Sequence, residues 1–573
     1  MADSESPLYL GLDLSTQSLK AVVIRQDTLE VVCSARVGFD EDLPHHRTVN
    51  GVHLGNEGEA TSPPLMWVEA MELVLDRLTE QQCPFQRIVG VSGSGQQHGT
   101  VYWAKGGEQA LKALDKQQQS LTNHFRRAFA LDASPIWMDT STSAECQAME
   151  NSIGGPLALA GLTGSRAYER FSAHQILRRF KRDSSLRHRC ERISLVSSFA
   201  CSLLAGKYVD VDFADASGMN LMDIKSHQWH PSLVSFLAQS IGTDPAHLSA
   251  LLGASPTPSW SVCSVIAPHY VHKYGFDPGC EVVAWSGDNP NSIVGLGLLK
   301  EGDMAVSLGT SDTLLAVVRE PKALSIGHVM VHPALEGAYF IMLCYSNGDI
   351  TRKSVRDEFA NGDWVDFARL VENHPPGNNS HIGVYLSTNE CTPPLDKGPP
   401  LRFKVDDSGH AKSEDRFPSP CMDCRAVVEM RALAMHSHLQ QIAPSLLQSA
   451  APPSPSRSSP RLLLTGGASS SPAIRQVFAD VFQRPVTILD RPDSAALGAA
   501  YRALHACEKR KDGEQYGEIG LFDRIGRAGE VTEEPKRESG GLYRMLAGAY
   551  GDVEDMLVKE RGRVTQQEQR DGK

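Results

Sequence analysis

No run of about eighteen apolar residues occurs in the chain, so no membrane-spanning helix is expected. The opening residues, Met1-Ala2-Asp3-Ser4-Glu5-Ser6-Pro7, lack the apolar stretch of a secretory leader and the arginine-rich character of an organelle-targeting one. A long basic stripe is missing as well. Lys and Arg number 56 against 68 Asp and Glu, a net charge of −12, which argues against nucleic acid as a partner. The one locally basic block, Arg178-Arg179-Phe180-Lys181-Arg182, reads as a solvated helix face. Paired cysteine motifs are scarce too. Of twelve cysteines only Cys421 and Cys424 form a C-x-x-C, with no second pair at zinc-site spacing, so free thiols in a reducing cytoplasm are expected.

What remains is ordinary in composition. With 41% hydrophobic and 22% charged residues over 573 positions, the chain reads as a water-soluble globular protein of about two to four domains. Its most informative feature is an echo. Leu8 to Leu12 is an apolar run leading into Asp13-Leu14-Ser15-Thr16-Gln17-Ser18 and then a second apolar run, Leu19 to Ile24. Met304-Ala305-Val306 leads into Ser307-Leu308-Gly309-Thr310-Ser311-Asp312 and then Thr313 to Val318. Each is a strand, a hydroxyl-rich turn and another strand. Such turns expose the N–H and hydroxyl groups that a polyphosphate needs.

Further strands are expected at 29–36, 88–91, 136–139, 282–285, 339–344 and 461–465. Helices are expected after Ser62 as a cap, over 193–204, 292–299, from 426, up to Phe482 and over 494–507. Ser92 to Gly99 reads as a polar loop at a strand's C-terminal end, where open α/β sheets place ligands. Pro/Ser-rich 451–460 reads as an exposed loop, and the chain from about Lys509 as a charged, helical or partly disordered tail. The pattern of three strands with tight turns, then helices and strands, occurs twice, so two related α/β domains with a cleft between them are expected. The division is placed at residues 1–286 and 287–510, with 511–573 as the tail.

Several side chains stand where chemistry would need them. A carboxylate at Asp13 can hold Mg²⁺ while the turn meets phosphate; it equally reads as a turn former capping its own backbone. Gly466-Gly467 follows a strand and lets a ligand approach the backbone, or is an ordinary strand-to-helix turn. Asp288, in Gly287-Asp288-Asn289-Pro290, is placed to take a proton from an attacking hydroxyl, or forms an Asx-turn before Pro290. His98 lies in a Gly- and Gln-rich loop suited to a polyol, whose hydroxyls both donate and accept. Arg170 by itself reads as a surface arginine.

Together these segments resemble the FGGY family of carbohydrate kinases, within the actin and hexokinase-like superfamily, over roughly residues 8 to 507. The chain is most similar to the eukaryotic-type xylulose kinases of that family. The likeness is carried by Ser94-Gly95-Gln96-Gln97-His98-Gly99-Thr100-Val101-Tyr102-Trp103, Trp137-Met138-Asp139, and Leu162-Thr163-Gly164-Ser165-Arg166-Ala167-Tyr168-Glu169-Arg170-Phe171. It continues through Ser217-Gly218-Met219-Asn220-Leu221, Gly287 to Pro290, Ser307 to Asp312 and Thr465-Gly466-Gly467-Ala468-Ser469.

The resemblance implies two actin-like (ribonuclease H-like) domains around a central cleft, and ATP-dependent phosphorylation of D-xylulose at O5. Ribulose, gluconate or glycerol kinases are the alternatives, and a non-catalytic actin-like ATP binder a more distant one. It implies that His98, Arg170, Asp288 and Asn289 contact the sugar, with Asp288 as base. Asp13 would organise Mg²⁺; Ser15, Thr16 and Gln17 on one side and Thr310 and Ser311 on the other would flank the phosphates. Gly466, Gly467 and either Ser470 or Ser471 would line the nucleoside, with Trp364 near it. Where many members have Asp-x-Gly-Thr, this chain has Asp13-Leu14-Ser15-Thr16. The partners implied are ATP and a small sugar in the cytoplasm, with a homodimer admitted.

Overall fold

The structure is a computed structural model that describes residues 6–116, 120–419, 421–448, 460–489, 491, 493–512, 524–525 and 530–561. It is built on two mixed sheets of one design. The first contains β1 (Leu8–Leu14), β2 (Ser18–Arg25), β3 (Val31–Gly38), β4 (Ile88–Gly95), β5 (Val262–Val265), β6 (Glu281–Val283) and the short β7 (Ser286–Gly287). The second contains β8 (Met304–Leu308), β9 (Asp312–Val318), β10 (His328–Val331), β11 (Tyr339–Tyr345), β12 (Leu462–Thr465), β13 (Val486–Ile488) and β14 (Glu530–Glu533). In the first, β3, β2 and β1 run antiparallel, β4 and β6 lie parallel to β1, and β5 closes the edge antiparallel. In the second, β11, β9, β8, β12, β13 and β14 repeat that order and those directions, with β10 added outside β11. The echo in the sequence is therefore one hairpin at the same place in two copies of a sheet.

The principal helices are α1 (Pro64–Glu80), α2 (Ser172–Arg182), α3 (Val196–Ala205), α4 (Asp288–Gly295), α5 (Asp349–Phe359), α6 (Trp364–Asn373), α7 (Met422–Ile442), α8 (Pro472–Phe482), α9 (Ser494–Asp512) and α10 (Gly540–Arg561). Strand alternation separates three cores. Leu8, Leu10, Leu12 and Leu14 face α1 and α3. Met304, Val306 and Leu308 face α7, α8 and α10. Tyr9, Ile24, Ala305 and Val317 turn inward, onto α4 and α9. The layers thus run helices, sheet, two crossing helices, sheet, helices. No helix among the described residues is long and apolar enough to cross a membrane.

The crossing of α4 and α9 joins the two sheets through bare backbone. A Cβ on Gly498 would stand 1.9 Å from the carbonyl oxygen of Asn291, and one on Gly295 1.9 Å from that of Ser494. Arg502 of α9, wholly buried, donates to Asn291 Oδ1 at 2.8 Å and to the Ala284 carbonyl at 2.7 Å. Gly498→Val should force these helices apart and cost about 3 kcal/mol, the upper end for overpacking. A chemical-denaturation midpoint indistinguishable from the parent's would contradict this packing.

Several expectations are corrected. Residues 530–561, expected in a polar tail, are built into the second domain. Glu530–Glu533 pairs with β13, and Tyr543, Leu546, Tyr550, Val553 and Leu557 of α10 join the core at helical spacing. Charged neighbours such as Glu554 and Asp555 hide that face in the sequence. Helix 494–512, placed with the second domain, lies against β1 and β4 of the first as well as on the inner face of the second sheet.

Ser92 to Gly95 is not loop but the buried end of β4; its residues are small because Trp285 covers Gly93 and α3 covers Gly95. Ile193 to Leu195 ends a strand rather than opening a helix, because Ser198 Oγ captures the Leu195 N–H and starts α3 one residue later. Ser62 does not cap α1; its hydroxyl donates to the Gly51 carbonyl at 2.7 Å. The helix expected over 292–299 begins at Asp288. The Pro/Ser loop at 451–460 lies, apart from Pro460, outside the described residues.

Candidate functional site

The ends of three adjacent strands bring two carboxylates together. Asp13 on β1 is in register with Ser94 on β4, and Gly95 with Gly287 on β7, so the residue after β7, Asp288, emerges beside Asp13. Asp13 is buried. One of its oxygens accepts the Ser15 hydroxyl at 2.7 Å, and the other, Oδ1, is buried without a partner. Burial raises its pKa, against the pull of Ser15 and Lys20. Lys20 itself is held by Asp493 at 2.6 Å.

Asp288 is half-buried and opens α4. Its Oδ1 accepts the Asn289 N–H at 2.9 Å, and its pKa is pushed up to about 7 by burial and by the charge of Asp13. The side-chain amide of Asn289 donates to Gln97 Oε1 at 2.9 Å. The turn after β1 completes this wall. The Ser15 N–H donates to the Ser18 carbonyl at 3.0 Å, and Thr16 Oγ1 accepts the Trp137 indole N–H at 2.8 Å. Gln17 is exposed.

Beyond the carboxylates stands His98, at a left-handed φ of 70°. Its Nδ1–H donates to the Gly218 carbonyl at 3.0 Å and its ring stacks on Phe171 at 4.6 Å. Burial and the nearby Arg170 lower its pKa to about 3, so it is neutral and Nε2 keeps a lone pair for a hydroxyl. Arg170 is no surface arginine. Its guanidinium lies 5.0 Å from the Tyr168 ring centroid and donates to His328 Nε2 at 2.9 Å. His328 was not read from the sequence: Val329-Met330-Val331 after it marks a short strand, but nothing local says that its ring meets Arg170, 158 positions away.

The second hairpin faces a cavity of about 450 Å³. Thr310, Trp364, Gly467, Ser470 and Ser471 line it, together with Lys353. Ser311 is exposed at the loop tip, and Gly466, exposed as well, does not line the cavity. Gly466 adopts φ +86°, and a Cβ there would meet the Leu308 carbonyl oxygen at 2.5 Å; beside Gly467 the space is open. Trp364 is 39% exposed and carries the Arg356 guanidinium 4.6 Å from its ring. Ser470 Oγ is spent on the Gly467 carbonyl at 2.8 Å, whereas Ser471 Oγ is buried without a partner, which makes Ser471 the readier donor to a ligand. The helix after Gly466-Gly467 starts late, at Pro472, following a 3₁₀ turn.

Behind the second hairpin lies a buried ion network. Arg352 grips both oxygens of Asp312, at 2.7 and 3.0 Å, and Arg431 approaches Asp312 at 3.3 Å and Glu390 at 3.1 Å. Arg352 also donates to the Gly309 carbonyl at 3.2 Å, and the Asp349 N–H donates there at 2.8 Å. The loop is thus held by its backbone while Thr310 and Ser311 stay free. Among the described residues, the one group of three ligand-type side chains close enough to share an ion is His45, His46 and Glu69, where the turn Pro44–His46 meets α1. The cleft offers paired carboxylates instead.

Comparison with known proteins agrees with this architecture. Family models described as the N-terminal and C-terminal domains of the FGGY family of carbohydrate kinases match residues 8–295 and 304–507. Xylulose kinase 2 of Arabidopsis thaliana is 39% identical over 577 residues, covering 98% of this chain and 100% of its own. The xylulose kinase of Rattus norvegicus is 38% identical over 96% of this chain and 98% of its own. A solved xylulose kinase from Rhodospirillum rubrum superposes with a TM-score of 0.74 at 17% identity, over 96% of this chain and 99% of its own. A glycerol kinase from Plasmodium falciparum, solved with ADP, gives a TM-score of 0.70 at 14% identity over 96% of this chain and 98% of its own, so the fold alone does not choose the acceptor.

Proposed function

The chain belongs to the FGGY family of carbohydrate kinases, and from that membership and the cleft's geometry we propose that it transfers the γ-phosphoryl group of ATP to O5 of D-xylulose. The products are D-xylulose 5-phosphate and ADP. The observation that carries this reading is the place of Asp288. It stands beside Asp13, and its neighbour Asn289 holds Gln97, the residue before His98. The xylulose kinases that match the chain along almost its whole length support the choice of acceptor.

Neutral His98 accepts from one sugar hydroxyl; Arg170 and Asn289 donate to others. Asp288 takes the O5 proton as the O5–P bond forms and the bond from phosphorus to the ADP oxygen breaks. Ser15, Thr16 and Thr310 meet phosphate oxygens from the two sides, and Ser471, Gly467 and Trp364 receive the nucleoside. Asp13 fits a Mg²⁺ ligand, since its buried unpartnered oxygen beside a second carboxylate suits an ion otherwise held by phosphates and water. When bound with ATP, that ion supplies charge neutralisation on the phosphates. The cysteines form no disulfide among the described residues, which suits the cytoplasm, where we place the reaction.

A coupled ADP-release assay over D-xylulose, D-ribulose, gluconate and glycerol tests the acceptor. D-xylulose should give the highest kcat/KM; a higher value for any of the others overturns the assignment. The same assay reads the base. Asp288 accepts a proton only when ionised, so with its pKa at about 7 in the free protein, kcat/KM should fall about tenfold per pH unit below about 7. A flat profile between pH 5 and 8 would remove Asp288 from that role.

A further inference from the structure

His328 stands where the two halves of the molecule meet on the sugar side. It is the first residue of β10, the outermost strand of the second sheet. That strand is nevertheless tied to the first domain by its backbone. The Val329 N–H donates to the Gly164 carbonyl at 2.9 Å, and the Val331 N–H to the Ser217 hydroxyl at 3.2 Å. The imidazole is buried between Tyr168, at 4.5 Å, and Phe171, at 5.4 Å.

The hydrogen bonds fix its tautomer. An arginine nitrogen can only donate, so Nε2, 2.9 Å from Arg170 Nη2, carries the lone pair. The proton therefore sits on Nδ1 and goes to Ser165 Oγ at 3.1 Å. The choice of a neutral acceptor has a consequence. A carboxylate in this place would take two guanidinium N–H groups and cancel the charge. The imidazole takes one, sets the plane of the guanidinium, and leaves its charge and its other donors to the cleft.

We propose that His328 is a positioning residue for Arg170 and, through it, a determinant of which sugar the cleft accepts. Fixed Arg170 donors discriminate between sugars that differ at one hydroxyl, because a misplaced hydroxyl leaves a buried donor unpaired. The second domain thereby contributes to sugar recognition without touching the sugar. The inference rests on the sugar-kinase reading given above, and the test keeps the two apart.

His328→Gln retains an acceptor near the Nε2 position, His328→Asn retains only a group near Nδ1, and His328→Leu retains neither. KM for D-xylulose should rise about 10–100-fold in His328→Asn and His328→Leu and by no more than about threefold in His328→Gln. KM for ATP should change by less than about twofold in all three, and the ratio of kcat/KM for D-xylulose over D-ribulose should drop in the first two. In an Arg170→Met background, His328→Leu should add less than about twofold, since its route of action is gone.

Equal effects of Gln and Asn, or full additivity with Arg170→Met, overturn the proposal and leave His328 as core packing. If His328→Leu fails to fold, the Gln–Asn comparison still decides. If the wild-type protein prefers another sugar, the acceptor assignment falls, and the same series run on that sugar still supports or sinks the role of His328.

Discussion

Asp288→Asn should lower kcat for D-xylulose by about 10²–10⁴-fold, and more if the hydroxyl cannot lose its proton to water. The same substitution should make the protein more stable above pH 7. The side chain keeps its shape, and the amide oxygen can still accept the Asn289 N–H. What disappears is a carboxylate held beside Asp13 in a half-buried place. The folded protein binds that proton up to a pH of about 7, whereas the ordinary aspartate value is 3.8.

The cost of the ionised carboxylate is therefore absent below pH 3.8, grows as pH rises from there, and is complete once pH has passed through 7. Above pH 7 the ionised pair costs up to about 4 kcal/mol, at 1.36 kcal/mol per unit of difference. Thermal unfolding of both proteins at pH 5 and pH 8 checks the sign. The variant's advantage should grow with pH. A variant of wild-type turnover, or one destabilised at pH 8, would refute the reading of Asp288 as a base raised by its neighbour.

Asp312→Ala should cost about 3–5 kcal/mol in the second domain, since it leaves two buried arginines without their shared anion. Arg431 retains Glu390 and its place 4.1 Å over the Tyr345 ring, so Arg352 bears most of the loss. Arg352 also holds the Gly309 carbonyl, and KM for ATP should rise with the fall in stability. Replacing both members, Asp312→Leu with Arg352→Met, should restore much of the stability but not the affinity for ATP, because the loop has lost its clamp. Urea denaturation with parallel ATP kinetics reads both. A loss below about 1 kcal/mol for Asp312→Ala would mean that the network is solvated rather than structural.

The sequence shows the two hairpins plainly because a hydroxyl-rich turn between apolar strands needs no tertiary context to be seen. Asp13, His98 and Asp288 drew notice for the same reason, each standing at or shortly after the end of a buried strand. Ser92 to Gly95 misled because glycine and serine usually mark loops; here they are small so that Trp285 and α3 can lie on them. Arg170 could not be read as a site residue by itself, since what orients it is 158 positions away. The helix Gly540–Arg561 was hidden for a different reason. Its apolar stripe sits among charges that serve its outer face and, at Glu554, a bond to His438 at 2.5 Å. Resemblance to a family reached the cleft, but it carried no information on the strand His328–Val331 or on what that strand holds.

The helix Ser494–Asp512 sets a timetable for the newborn chain. The last strand of the first sheet ends at Gly287, yet the helix that covers its inner face is encoded more than two hundred residues later. At about 5–20 residues per second, the ribosome takes about 10–40 s to deliver it. Through that interval Tyr9, Val22 and Ile24 have no permanent cover, so the emerging first half is a client for chaperones rather than a finished domain. A fragment cut after residue 295 would carry the same exposed face for good. The cleft is thus a late event in synthesis: neither jaw of it is complete until nearly the whole chain has been made.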